Sequence, residues 1–175
     1  MSMRRWSLAG GAAVLALLVG ACCSLPTFTP SFWNDGGQVQ LNNNCYNYGN
    51  NKRTDTFAQP GRAAGSQWTA LTCTAVGAAA VADGIKHAPA SGACPDTKCK
   101  IALVVAPGWD YHWYRLDHNG MWSHKPGATQ ATNRDNSGNL ISNPETANRG
   151  PYTDFCGYFC SCSSSTEGSG HEKIQ

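Results

Sequence analysis

Three residues of this chain have the types that nucleophilic acyl chemistry requires: Cys45 in "NNNCYNYGNN", His112 in "DYHWYR" and His124 in "WSHKPG". A thiol attacks a carbonyl as its thiolate, so it needs an imidazole to take and return the proton. That imidazole in turn needs a polar group to fix its ring. Cys45 as nucleophile, His112 as acid and base, and His124 as the orienting group meet these needs. Asn133, Asp135 and Asp110 stand in reserve for the third place. Cys45 lies among amides and tyrosines, which suits a displayed thiol better than a core one. The chemistry expected of such a set is attack of a thiolate on a carbonyl carbon, with no cofactor. A zinc site built from His112, His118, His124 and Asp110 has less support, because neither H-E-x-x-H nor paired C-x-x-C spacing is present.

Such a triad requires elements that bring the three residues together. "WDYHWYRLD" (109–117) and "MWSHKPG" (121–127) flank the turn "HNG". A three-residue loop with Gly120 in the left-handed region pairs Asp117 with Met121 and sets Tyr114 opposite His124. His112 and His124 then share one face as diagonal neighbours, about 7–8 Å apart at the backbone. "KIALVVAP" (100–107) is a short β-branched apolar run and predicts a central strand. "YTDFCGYFC" (152–160) predicts a last strand. The alanine-rich 67–83 predicts the main helix, with Gly84 as its cap. "YNYGNN" predicts little helix after Cys45. The polar stretch 128–151 predicts a long loop placed as a wall or lid.

The chain has 175 residues, with 13 basic and 11 acidic side chains. Arg4 and Arg5 precede an apolar run, Leu8–Gly20, that is too short to span a bilayer and right for an export signal. Residues 1–21 are therefore read as a signal peptide, and the remainder is close to neutral. Without a basic patch, nucleic acid is excluded as a partner. "VGAC" before Cys22 resembles a bacterial lipobox, so Cys22 is expected to carry lipid; ordinary cleavage near Ala21 is the alternative. Residues 22–41 are read as a lipid-anchored tether, 42–160 as one domain and 161–175 as a disordered tail. Nine cysteines in an exported chain imply disulfides, and Cys94 with Cys99 is the candidate pair that could pinch the loop between them.

The order Cys45, His112, His124 resembles the NlpC/P60 branch of the papain-like cysteine hydrolases. "NCYNY", "TFAQPG", "DYHWYR", "WSHKPG" and "TNRD" are similar to segments of a set of secreted bacterial proteins and lipoproteins. The resemblance implies an α+β papain-like fold, with one or two helices packed on an antiparallel sheet. It also implies a cysteine amidase or peptidase of the bacterial cell envelope, tethered to the membrane by lipid or secreted, acting on a peptide or peptidoglycan-like substrate. The rival expectation is a disulfide-stapled lipoprotein that binds a ligand or partner without chemistry, with Cys45 oxidised.

Overall fold

The computed structural model describes residues 25–95, 98–162, 166–167 and 174–175. The expected signal peptide and the lipidation site Cys22 lie outside them. From residue 25 onward the expected tether belongs to the domain. A 3-10 turn, Pro30–Phe32, delivers Trp33 into the interior, edge-on to Tyr48 at 5.0 Å between ring centroids. Asp35 accepts from the amides of Gly37, Val39 and Gln40, which starts α1 (Gln38–Asn42).

Next comes α2 (Cys45–Gly49), a helix that propensity argued against. The Asn44 side chain accepts from the amides of Tyr46 and Asn47, while the Asn47 side chain accepts from the Asn44 amide. This reciprocal cap satisfies the orphan donors of the first turn, and burial of all five residues does the rest.

The remaining elements are β1 (Lys52–Arg53), α3 (Cys73–Ala82), β2 (Lys86–Ala88), β3 (Lys98–Ala106), β4 (Asp110–Leu116), β5 (Trp122–His124), β6 (Asp154–Cys162) and β7 (Thr166–Glu167). The main helix starts six residues later than expected, at a cap where the Thr72 hydroxyl accepts from the Ala75 amide. It ends at Gly84 as expected (φ +88°).

Five strands form an antiparallel sheet in the order β2-β6-β3-β4-β5, and β1 pairs with β7 in parallel. One face of the sheet carries Ile101, Leu103, Val105 and Trp113 against α2 and α3, through Tyr46, Val76 and Ala80. Gly77 lets α3 approach closely, since a Cβ there would sit 3.3 Å from the Phe159 ring. The other face carries Ala102, Val104, Tyr114 and Trp122, packed with Ile141. Ile141 comes from the long segment 128–151, which bridges back onto β5 at Thr132 and Ile141 and so covers this second face.

Among the described residues two disulfides brace the sheet, Cys73–Cys156 and Cys94–Cys160. The first uses a bulge: Leu103 pairs with Gly157 and Val104 with Phe155, so Cys156 is the extra residue that leaves the ladder and reaches the start of α3. The second corrects the expected Cys94–Cys99 pairing. Cys99 lies buried within β3, and Cys94 reaches across to β6 instead. The tail is also corrected: β6 runs to Cys162, Thr166–Glu167 pairs with β1, and Ile174 is buried in the helix-side core.

Candidate functional site

The β4–β5 hairpin has the register expected from its turn. Asp117 donates its amide to the Met121 carbonyl at 2.9 Å, Gly120 has φ +78°, and Tyr114 pairs with His124. His112 and His124 consequently share a face, with His112 Nε2 2.7 Å from His124 Nδ1. His124 Nε2 lies 2.9 Å from the Arg134 carbonyl, which can only accept, so that nitrogen carries a proton. With both rings neutral, His124 Nδ1 accepts from His112 Nε2–H, and His112 Nδ1 is left as an unprotonated acceptor. Burial pushes His112 well below its usual value, with His124 adding to the effect, and burial lowers His124 as well. The pair is therefore neutral at physiological pH.

Cys45 is the first residue of α2 and an unpaired thiol, 5% exposed. The oxidised state attached to the rival expectation is thus corrected. Its Sγ lies 4.0 Å from the Tyr111 carbonyl, and among the described residues no hydrogen bond joins it to either histidine. Alternation along β4 sends Tyr111 and Trp113 toward Cys45, while His112 lies edge-on to Tyr114 on the opposite face. Desolvation raises the Cys45 pKa from 9.0 to about 12. A raised thiol and a lowered imidazole together disfavour a thiolate–imidazolium pair.

Cys45 and His112 both border a cleft of about 220 Å³, together with Asp110, Tyr152, Trp68 and Trp109. Asp110 accepts from the Tyr111 amide at 2.8 Å and from the Tyr152 hydroxyl at 2.7 Å, so it anchors the wall and does not orient a histidine. Asp135 is half-buried and spends its carboxylate on the amides of Asn148, Asn139 and Ser137, which hold its pKa below the usual range. Asn133 engages Ile141 through its backbone carbonyl.

The third partner of the relay is the Arg134 main chain, a role that residue type cannot advertise. Lys125 also escaped the sequence reading. Its buried ammonium donates to the carbonyls of Gln40, Asn43 and Gly127, tying α1 and the start of α2 to the hairpin. Burial lowers its pKa to about 8. Among the described residues, no group of three or more His, Cys, Asp or Glu is placed to hold a metal.

The site therefore defines a disulfide-stapled domain whose cleft holds a neutral thiol and a neutral imidazole rather than an activated nucleophile. No known family profile and no solved structure matches the chain. It is 52% identical over 133 residues to insoluble matrix shell protein 1 of Ruditapes philippinarum, an alignment covering 75% of this chain and 86% of that protein. The chain belongs to the family of that shell matrix protein. This membership replaces the kinship with bacterial NlpC/P60 hydrolases and the bacterial cell-envelope location. It also overturns the cysteine amidase or peptidase function, the peptide or peptidoglycan-like substrate and the lipid-mediated membrane attachment.

Proposed function

We propose that this chain is a non-catalytic structural component of an extracellular matrix, exported through its N-terminal leader and cross-braced by disulfides. The observation that carries the reading is the 52% identity to a shell matrix protein across most of both chains. Two disulfides that close loops spanning 83 and 66 residues support it, because they suit a protein that must hold its shape outside the cell. The neutral, desolvated thiol supports it as well, since desolvation outweighs the backbone hydrogen bonds that would favour the thiolate. For the architecture, we read a papain-like topology from a helix-borne cysteine that precedes a histidine-bearing hairpin.

Fractionation of the native extracellular material tests the function. The chain should remain in the residue left after detergent and chelator extraction and be released by reductant or protease. Recovery in the cell-soluble fraction would reject the reading.

A further inference from the structure

The cleft beside Cys45 has a construction that the matrix reading leaves unused. Trp109 lies in the β3–β4 turn, its amide donating to the Ala106 carbonyl at 3.0 Å, yet its side chain is 65% exposed. A single exposed apolar side chain is ordinary; Trp109 differs in being the outermost of a run of rings that leads into the cleft. The Trp109 ring lies 6.1 Å from that of Tyr152, inclined by 34°, and Tyr152 lies 5.3 Å from His112, inclined by 33°. Three rings thus step from solvent to the floor of the cleft. Asp110 holds Tyr152 by its hydroxyl, which fixes the middle step.

The floor has hydrogen-bonding capacity to spare. His112 is 97% buried on its 3% exposure, and its Nδ1 has no hydrogen-bond partner among the described residues. The tautomer set by His124 and the Arg134 carbonyl makes that nitrogen an acceptor. On the wall, the Trp68 indole N–H also lacks a partner. The indole N–H is buried, and a buried donor without a partner is uncommon.

We infer that the cleft is a subsite for one pyranose ring of a neutral polysaccharide, stacked on Trp109 and Tyr152 and donating a hydroxyl to His112 Nδ1. A sugar combines a flat face of C–H groups, suited to aromatic rings, with hydroxyls that both donate and accept. Its volume fits a cleft smaller than the roughly 300–1,000 Å³ of drug-sized sites. An anionic ligand would face the Asp110 carboxylate and a lone pair on the floor, and among the described residues no cation lines the cleft to receive it. The inference deepens the matrix reading, and depends on it only for where the glycan is met.

Purified full-length chain is titrated with β-1,4-linked tetramers of glucose and of N-acetylglucosamine, a mannose tetramer, a hexuronate tetramer and a tetraproline peptide. Tryptophan fluorescence and calorimetry follow the binding. The expected result is saturable binding of at least one neutral glycan, weakened tenfold or more in Trp109→Ala, whose exposed site spares the fold. His112→Gln, checked for folding by circular dichroism, should weaken it similarly. Absence of neutral-glycan binding at millimolar concentration, equal binding by Trp109→Ala, or preference for the hexuronate or the peptide overturns the inference. Glycan binding by a chain absent from the insoluble matrix would leave the subsite standing and reject the matrix role; the converse result would reject the subsite alone.

Discussion

His112 and His124 meet ring nitrogen to ring nitrogen at 2.7 Å, and the Arg134 carbonyl closes the far end of the relay. Both rings are buried and both titrate below their usual 6.5 in the fold. Between the folded and unfolded values the unfolded chain binds the extra protons. Their contribution to stability is therefore complete above about pH 6.5 and is lost as pH falls toward the folded values. The slope is at most about 1.4 kcal/mol per pH unit for each histidine. Asp117 and Asp83, raised by burial, act in the opposite direction above their usual 3.8. Urea midpoints from pH 7.5 to 5.5 should fall in the native chain and flatten in the double variant His112→Gln/His124→Gln. Parallel profiles would refute neutral, buried rings.

A second buried network fastens the other end of the hairpin. Arg115 and Asp117, each 1% exposed, pair at 2.8 Å. Arg115 also donates to Asn51 Oδ1 and the Tyr48 hydroxyl at 3.0 Å, while the Ser123 hydroxyl donates to Asp117. Removing one partner strands the other charge in the interior. Arg115→Ala should therefore cost about 3–5 kcal/mol in urea unfolding. The double change Arg115→Met/Asp117→Leu should cost less than the single one, because no charge is then left unpaired. A double variant at least as unstable as Arg115→Ala would show that the geometry, rather than charge pairing, sets the cost.

The parts of this fold legible in the sequence are those governed by local chemistry. "HNG" set the hairpin and hence the histidine contact, Gly84 ended α3, and the run 100–107 became the central strand. The illegible parts depend on distant partners. Nothing within "YNYGNN" signals α2, because its stability comes from the cap at Asn44 and from burial beneath the sheet. Cys94 and Cys99 are close in sequence, but strand pairing carries Cys160 to the register of Lys100 and within reach of Cys94. Ile174 fills the core from a tail whose composition reads as disordered. Cys45 and His112 border one cleft, but the motifs around them are not evidence of kinship with bacterial hydrolases. Residue type and order cannot tell a neutral thiol from an activated one.

Reduction should destabilise the domain strongly. The Cys73–Cys156 and Cys94–Cys160 bonds close loops spanning 83 and 66 residues. Loop closure alone puts each bond at about 4–5 kcal/mol, and such bonds commonly deliver about 2–4 kcal/mol, chiefly through loss of freedom in the unfolded chain. Cys94→Ser and Cys156→Ser should each lower the melting temperature by several degrees, and reductant should add nothing for the bond already removed. A melting curve unchanged by reductant in the native chain would mean that the bonds are dispensable.

Cys45 itself gives the sharpest test of a neutral thiol. Alkylation consumes thiolate, and a pKa near 12 in place of 9.0 leaves about a thousandfold less of it at pH 7.5. Burial to 5% exposure slows the reagent further. Iodoacetamide should therefore leave the Cys45 peptide unmodified over minutes in the native chain and modify it fully in urea, as read by peptide mass spectrometry. The native rate should rise nearly tenfold per pH unit for as long as the fold persists, because each unit multiplies the thiolate fraction by that factor. A pH-independent native rate at or above that of a free thiol would mean that the sulfur is already ionised. The hydrogen bond to Tyr111 could not then be a thiol donating to a carbonyl, and the neutral cleft would have to be abandoned.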